Sequence, residues 1–228
     1  MSDVRQQQPE HHENHGSEHN QEHQHDHEHE YGHGHGNGDP FSNPSKMFIL
    51  RYTFRNWIRR RSYYKELVKQ LNLNGSESVL DFGSGVGSLA KKLAPKLNKN
   101  GRLVCLDVSP KLLDHTKNQL HKYSNVEYLL GDLPSQSLSE QSFDYIISTW
   151  VLHHLERSEL EQTIIQFSKT LKSGGKIFII EFPEGFEHTH NFHHMIKVSD
   201  ILALFNEQNF SQKVLISKPA GVLYEFTR

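Results

Sequence analysis

The chain has 228 residues, of which 35% are hydrophobic and 23% charged, and its net charge is −2. This length suffices for one ordinary domain with a substantial core plus an appendage. No apolar run reaches eighteen residues, so no membrane-spanning helix is predicted, and the polar, acidic N-terminus lacks the pattern of a secretory signal. Cys105 is the only cysteine, which excludes an internal disulfide and a thiolate metal cluster within one chain. A cytoplasmic protein is therefore expected.

Residues 1–42 differ in composition from the rest of the chain. They carry nine acidic side chains against Arg5 alone, a net charge of −8, whereas the remainder has a net charge of +6. Because they contain almost no aliphatic side chains, they cannot bury enough apolar surface to offset the entropy of ordering. The composition predicts a disordered tail over 1–42.

The same tail is rich in histidine, and ten of the eighteen histidines lie between His11 and His35. Neutral imidazoles are good ligands for zinc and nickel, and interleaved carboxylates attract cations. The pattern therefore predicts loose binding of a divalent metal such as Zn or Ni, with an alternating set of imidazoles as ligands: His23, His25, His27 and His29. The alternative is a solvated acidic tail that has no physiological metal.

A helical lid segment is predicted over 43–74. Asn43 and Pro44 suit an N-cap and a first helical position, and a second helical run ends near Leu73. Apolar residues recur at three- and four-residue spacing, namely at Met47, Leu50, Phe54, Trp57 and Ile58. Arginines line another face of the same helix, namely Arg51, Arg55 and Arg59.

Three roles are compatible with this segment. It can pack on the core with a solvated arginine face, or residues 47–65 can contact an anionic membrane surface. It can also cover a substrate pocket with aromatic side chains, namely Tyr52, Trp57, Tyr63 and Tyr64. Nucleic-acid binding is not expected, because the rest of the chain is nearly balanced in charge.

Residues 79–87, Val-Leu-Asp-Phe-Gly-Ser-Gly-Val-Gly, join an apolar strand to a glycine turn. Gly83 and Gly85 let the backbone turn sharply and approach a ligand without an intervening Cβ. A helix that starts near Val86 would direct its free N–H groups at that ligand. The pattern predicts a nucleotide-like ligand at this turn.

From residue 77 onward, short apolar runs alternate with helical patterns. Strands buried on both faces are predicted at Ser78–Phe82, Leu103–Val108, Val126–Leu130, Tyr145–Ser148 and Lys176–Phe182. Helices are predicted at Val86–Leu97, where Pro95 bends or shortens the helix, at Pro110–His121 after the cap Ser109, and at Leu160–Leu171. This alternation predicts an α/β fold with a doubly wound parallel sheet.

The C-terminal third changes character. Ser199 can cap a helix through Asn206, and two strands follow at Lys213–Ser217 and Val222–Thr227. The four residues between these strands are too few for a parallel crossover, so an antiparallel hairpin is predicted. The sheet is then mostly parallel and seven-stranded.

These landmarks together resemble the class I S-adenosylmethionine-dependent methyltransferases over residues 75–228. The resemblance is strongest to the small-molecule branch that includes the ubiquinone and menaquinone biosynthesis C-methyltransferases. Besides residues 79–87, it rests on Leu-Asp-Val-Ser at 106–109, Gly-Asp-Leu-Pro at 131–134, Phe-Asp-Tyr-Ile-Ile-Ser at 143–148 and Leu-Lys-Ser-Gly-Gly-Lys at 171–176. It implies a Rossmann-like fold and methyl transfer from S-adenosylmethionine to a small, partly apolar acceptor by direct displacement.

The resemblance also implies roles for individual residues. Asp81 would lie near the amino group of the cofactor, Asp107 would accept hydrogen bonds from the ribose hydroxyls, and Asp132 would meet the adenine amino group. Other cofactor contacts would come from the turns and strand ends, namely Gly83, Ser84, Gly85, Gly87, Val108, Leu133, Ser148 and Thr149. The alternatives are a helix-capping role for Asp107 beside Ser109 and a turn role for Asp132.

His153 and His154 follow the fourth strand and are candidate catalytic bases. The alternatives are that they line the pocket without transferring a proton, or that they are polar residues at the start of a helix. A second histidine group could line the substrate mouth, bind metal or be a solvated loop: His188, His190, His193 and His194.

Two other classes of protein share some of these sequence features. A nicotinamide enzyme would have Gly-x-Gly-x-x-Gly, but the third glycine comes one residue early here, at Gly87. A metal-buffering protein or metallochaperone that keeps the fold without catalysis is the other alternative.

Overall fold

The computed structural model describes residues 44–186 and 195–228. The strands, in chain order, are β1 (Ser78–Phe82), β2 (Arg102–Asp107), β3 (Val126–Leu130), β4 (Phe143–Thr149), β5 (Leu171–Glu181), β6 (Ser211–Lys218) and β7 (Gly221–Thr227). The helices are α1 (Lys46–Leu71), α2 (Ala90–Leu93), α3 (Pro110–Leu120), α4 (Arg157–Thr170) and α5 (Val198–Glu207). Two short 3₁₀ turns lie at Ala94–Lys96 and Leu152–His154.

The seven strands form one sheet in the order β3-β2-β1-β4-β5-β7-β6. The first five strands pair in parallel, whereas β7 is antiparallel to both β5 and β6. The chain order reverses between β1 and β4, and ligands of doubly wound sheets bind at such a switch point. The predicted α/β fold with its C-terminal hairpin is confirmed.

Helices cover both faces of the sheet. Successive residues of a strand point to opposite faces, so Val79 of β1 packs with α1, α2 and α3, and Leu80 packs with α4 and α5. The two apolar cores hold the central strands rigidly, and this fixes where the carboxyl ends of β1, β2 and β4 lie relative to one another.

The predicted start of the first helix is wrong. Ser45 is the N-cap of α1, and its hydroxyl oxygen accepts a hydrogen bond from the Phe48 N–H at 3.1 Å, so Pro44 precedes the helix. The two predicted helical runs are one continuous helix that ends where Asn72 adopts φ 45°. Within the described residues, no helix combines the length and apolar character needed to cross a bilayer.

Two later helix starts also differ from the prediction. The glycine turn continues through Gly87, so α2 begins at Ala90 rather than near Val86. The predicted effect of Pro95 is confirmed, because the helix tightens into a 3₁₀ turn there. The N-cap of α5 is Lys197 rather than Ser199, and the Ser199 N–H donates instead to Glu184 Oε2 at 3.2 Å.

The prediction that β3 is buried on both faces is wrong. Val126 is buried but Leu130 is exposed, because β3 is the edge strand of the sheet. Predictions for the tail, including its disorder and metal ligands, fall on residues outside the described ranges, as do those for His188, His190, His193 and His194. Among residues 44–186 and 195–228, no group of three or more His, Cys, Asp or Glu side chains is placed to hold a metal.

Candidate functional site at the carboxyl ends of the parallel strands

A cavity of about 600 Å³ lies at the carboxyl ends of β1, β2 and β4. The glycine turn after β1 and the end of β2 form one side of it. The first turns of α4 form the opposite side, with Ser158, Glu159, Gln162 and Thr163. A cavity of this size suits a ligand as large as a nucleoside.

The three glycines of the turn are required at their positions for different structural reasons. All three have positive φ, between 55° and 71°. A Cβ at Gly83 would collide with the side chain of Val151, and one at Gly87 would fall 2.8 Å from Thr116. At Gly85 a Cβ would have open space, with its nearest neighbour at 4.0 Å. Gly83 and Gly87 are thus needed for packing, whereas Gly85 leaves room on the side of the cavity that it lines.

Asp107, at the end of β2, holds the glycine turn in place. Its Oδ2 accepts a hydrogen bond from the Gly85 N–H at 2.7 Å, and its Oδ1 accepts one from the Ser109 N–H at 2.9 Å. The carboxylate also lines the cavity. Because each carboxylate oxygen can accept more than one hydrogen bond, capping of the α3 start and contact with a ligand are compatible roles.

Asp81 is a buried carboxyl group near the same turn, with 1% of its surface exposed. Its Oδ2 has no hydrogen-bond partner among the described residues. Burial, and secondarily the negative charge of Asp107, raise its pKa to about 7. An unpaired buried carboxylate is unfavourable unless a cation approaches it, so this position fits an ammonium group.

Asp132 and Leu133 follow β3 and lie in a turn. The Asp132 side chain is exposed, lines the cavity and accepts a hydrogen bond from the Ser135 N–H at 2.9 Å, as a turn residue does. The Leu133 side chain is buried in the core, so any ligand contact by this residue falls to its backbone. Val108 is exposed and lines the cavity.

The end of β4 leads into an unusual backbone conformation. Ser148 and Thr149 are buried in the strand, and Ser148 Oγ has no hydrogen-bond partner among the described residues. The next residue, Trp150, has φ 55°, which is rare for a bulky side chain. Its N–H donates to the Ile180 carbonyl oxygen at 2.7 Å, and its side chain lines the cavity.

Helix α1 contacts this tryptophan. The rings of Tyr63 and Tyr64 meet Trp150 edge-on at 5.3 and 6.2 Å, and the Arg60 guanidinium lies 4.2 Å from its ring centre. Tyr63 and Tyr64 are buried, and neither is among the described residues that line the cavity. Tyr52 and Trp57 have side chains outside the described part. Helix α1 therefore supports the cavity through Trp150.

The two candidate catalytic histidines occupy different environments, although both lie in the 3₁₀ turn after β4. His154 is exposed and lines the 600 Å³ cavity. His153 is buried, and its Nδ1 lies 2.5 Å from Glu181 Oε2. The centres of the two rings are 4.0 Å apart.

Sequence reasoning missed Glu181, the last residue of β5. The signal was available, because Glu181 is a charged residue at the end of the apolar run Ile-Phe-Ile-Ile. It also missed the α4 wall of the cavity, for which the helical pattern gives no sign of which side chains face a ligand.

Known protein families and curated relatives resemble part of this chain. The family described as "Methyltransferase domain" matches residues 79–175. A ubiquinone/menaquinone biosynthesis C-methyltransferase of Wigglesworthia glossinidia brevipalpis is 25% identical over 73% of this chain and 65% of its own length. A demethylmenaquinone methyltransferase of Tropheryma whipplei is 30% identical over 50% of this chain and 45% of its own length. The chain thus spans less than two thirds of the length of these relatives.

Solved structures share the fold. A SAM-dependent methyltransferase from Aquifex aeolicus superposes with a TM-score of 0.62 at 16% identity, over 72% of this chain and 88% of the other. Phosphoethanolamine N-methyltransferase 2 of Haemonchus contortus, solved with S-adenosyl-L-methionine, gives 0.63 at 15% identity, over 80% and 56%. Over residues 79–175 the chain thus matches the methyltransferase-domain family, and it is similar to the C-methyltransferases of ubiquinone and menaquinone biosynthesis.

Proposed function

We propose that this protein transfers a methyl group from S-adenosylmethionine to a small, partly apolar acceptor. The observation that carries the proposal is the unpaired buried Oδ2 of Asp81, which lies on the strand that leads directly into the glycine turn of the cavity. Asp107 and Asp132 line the same cavity. Three carboxylates at or beside this cavity suit a ligand that presents an ammonium group, two ribose hydroxyls and an adenine amino group.

The chain's own residues bind and orient the ligand. Asp81 would pair with the amino group of the cofactor, Asp107 would accept hydrogen bonds from its ribose, and Gly85 would allow the backbone to approach it closely. When bound, the cofactor supplies a methyl group on a sulfonium, which is already electrophilic. The remaining task of the protein is to align a nucleophile with that methyl group and to exclude water.

The lining of the cavity indicates the class of acceptor. Much of the wall is apolar, with Phe82, Leu106, Leu112, Pro134, Trp150 and Leu155. Polar groups are fewer and come mainly from the first turns of α4 and from His154. This mixture supports a partly apolar small molecule, with a quinone-type ring as one example.

Isothermal titration calorimetry with S-adenosylmethionine tests the proposal. Asp107→Ala should raise the dissociation constant at least about 100-fold, because two hydrogen bonds to a charged group are worth about 3 kcal/mol or more. Transfer of labelled methyl from the cofactor into a metabolite extract then identifies the acceptor. Absence of cofactor binding, or unchanged binding by Asp107→Ala, would contradict the proposal.

We further propose that the histidines of residues 1–42 bind Zn or Ni loosely. The support is the alternating sequence around His23, His25, His27 and His29. Deleting residues 1–42 should abolish metal uptake and leave cofactor binding unchanged. If the full chain takes up metal but binds no cofactor, the metal-buffering alternative is favoured instead.

We also propose that residues 47–65 contact an anionic membrane surface. Met47, Leu50 and Phe54 are 64%, 65% and 63% exposed, and the later exposed positions on the same helix include Arg61 and Lys65. An apolar tip followed by basic side chains suits the boundary between acyl chains and headgroups. At low salt, wild-type protein should cosediment with phosphatidylglycerol vesicles, and the Leu50→Glu variant should not. Equal sedimentation of Leu50→Glu would contradict this contact.

A further inference from the structure

Helix α4 presents a strip of polar side chains to the 600 Å³ cavity. Four of its residues line the cavity: Ser158, Glu159, Gln162 and Thr163. Their spacing places them on one side of the helix, whereas Leu160 and Ile164 pack in the core. Within this strip Glu159 alone has an ionisable side chain, so it sets the charge of this wall of the cavity.

The Glu159 carboxylate is held by the start of its own helix. Its Oε2 accepts a hydrogen bond from the Glu156 N–H at 3.1 Å, as in a capping box. This hydrogen bond keeps the side chain at the first turn of α4, where it lines the cavity. The carboxylate therefore carries its charge at a fixed place on the cavity wall.

Two further carboxylates line the cavity, Asp107 at the end of β2 and Asp132 in the turn after β3. Backbone N–H groups hold both of them in place, two at Asp107 and one at Asp132. Among the described residues that line the cavity, none is a lysine or an arginine, and His154 is positively charged only when it is protonated. The Arg60 guanidinium lies against the Trp150 ring and is not part of this described lining. The described wall of the cavity is therefore negatively charged.

The two nucleosides of the proposed reaction differ in charge. At neutral pH S-adenosylmethionine has a net positive charge, because its sulfonium and ammonium groups outweigh its carboxylate. Loss of the methyl group leaves a thioether, so S-adenosylhomocysteine has no net charge. Carboxylates that are already fixed in place attract the first compound more than the second, and they repel an anion.

We propose that Glu159 is a specificity-determining residue that makes this cavity select its ligands by charge. The inference rests on the proposed methyl transfer. Glu159 favours the cationic cofactor over the neutral product, so it helps the product to leave. It also disfavours acceptors that carry a phosphate or a carboxylate, so the methyl acceptor is a neutral or cationic molecule.

A purely structural role for Glu159 as a helix cap is the competing explanation, and Glu159→Gln separates the two roles. Glutamine also serves at this position of a capping box, because its amide oxygen can accept the Glu156 N–H. The variant keeps the cap and removes the charge. Glu161→Gln is the matched control, since Glu161 lies on the same helix, pairs with Arg157 at 2.8 Å and is not among the described residues that line the cavity.

Isothermal titration calorimetry at low salt measures the charge selection with three compounds: S-adenosylmethionine, S-adenosylhomocysteine and sinefungin, which carries an ammonium group in place of the sulfonium. Glu159→Gln should weaken binding of the two cationic compounds about threefold and leave that of S-adenosylhomocysteine nearly unchanged. In 1 M salt this difference should disappear, because charges are screened beyond about 3 Å. Glu161→Gln should bind all three compounds as wild type does. An equal change for all three compounds in Glu159→Gln, or no change, would overturn the inference.

The charge of the methylated products supplies the second measurement. When wild-type protein transfers labelled methyl into a metabolite extract, most labelled product should pass through an anion-exchange resin at pH 7, and Glu159→Gln should raise the retained share. Wild-type product that is mostly retained would overturn the charge selection. If wild-type protein binds none of the three nucleosides, the proposed function fails and this inference fails with it. If it binds them and Glu159→Gln does not change their relative affinities, this inference alone fails.

Discussion

The two halves of the site differ in the hydrogen bonding of two buried carboxyl groups, Asp81 and Glu181. At the ends of β1 and β2, Asp81 Oδ2 and Ser84 Oγ are buried and have no hydrogen-bond partner among the described residues. At the ends of β4 and β5, Glu181 accepts hydrogen bonds from Val151 and Leu152 and pairs with His153. Asp81 Oδ2 thus leaves hydrogen-bonding capacity unused, whereas both carboxyl oxygens of Glu181 have partners within the protein.

This difference indicates which of the two carboxyl groups can still bind a ligand. A buried polar group without a partner costs about 1–3 kcal/mol, and a ligand that supplies the partner recovers that free energy on binding. A satisfied group recovers nothing on binding, but it holds its neighbours in a fixed geometry before the ligand arrives. Asp81 is thus suited to bind the cofactor proposed above, and Glu181 is suited to hold the turn after β4.

The largest expected effect concerns Glu181→Ala. This change leaves two backbone N–H groups and His153 Nδ1 buried without their acceptor, so the free energy of unfolding should fall by about 3–5 kcal/mol. Urea denaturation measures it. Glu184→Ala is the control, since Glu184 is exposed and the expected loss there is below about 1 kcal/mol. Equal losses would show that the Glu181 contacts contribute no special stability.

In the absence of cofactor, Asp81→Asn should raise the free energy of unfolding, whereas Glu181→Ala lowers it. Because the folded pKa is raised from 3.8 to about 7, the wild-type protein loses stability as the pH rises through this window. An asparagine does not ionise, so Asp81→Asn should be more stable than wild type at pH 8, by on the order of 2–4 kcal/mol. The advantage should shrink toward pH 4. Denaturation curves with a constant advantage across this range would contradict the assignment.

A pair of glycine substitutions separates packing from ligand approach. Gly83→Ala drives a methyl group into Val151 and should lower the free energy of unfolding by about 2–3 kcal/mol. Gly85→Ala meets open space and should cost only about 1–2 kcal/mol for its φ of 55°, while weakening cofactor binding roughly tenfold. Thermal unfolding and calorimetry measure the two effects. If Gly85→Ala binds the cofactor as tightly as wild type does, Gly85 is not needed for the ligand to approach the backbone.

The smallest expected effect is the pH dependence of cofactor binding. Only ionised Asp81 attracts an ammonium group, so affinity should rise as the pH increases from 5.5 to 7, roughly tenfold for a pKa of about 7. Calorimetry at the two pH values measures this change. Asp81→Asn should bind more weakly and show little of the slope. The same slope in that variant would assign the titration to another group.

The order of elements was predictable because local patterns decide it. Strand β1 has the predicted bounds, and the two C-terminal strands form the expected hairpin, since apolar alternation and short connections leave few topologies. The start of α2 was not predictable, because the glycine turn needs positive φ through Gly87 and therefore delays the helix. The exposure of β3 depends on its place at the sheet edge, which no local pattern encodes.

The candidate site divides in the same way. Gly83 and Gly85 were predicted from the strand–turn pattern, and Asp81 and Asp107 were predicted from the family resemblance; the structure places Asp107 against the glycine turn. The different environments of His153 and His154 were not predicted from the sequence, because neighbouring residues in a 3₁₀ turn can line different cavities. Glu181 is 28 residues from His153 along the chain, and only the pairing of β4 with β5 brings them together.

The sequence by itself determined the fold class and the glycine turn, because both follow from hydrophobic periodicity and from residues that lie close along the chain, and the acidic residues beside the turn were predicted from a family resemblance. The tertiary structure decided which buried groups lack a partner and which are satisfied. That distinction depends on contacts between separate strands, such as Glu181 with His153. Hydrogen bonds between distant segments are fixed by packing, and the one-dimensional pattern of residues does not specify them.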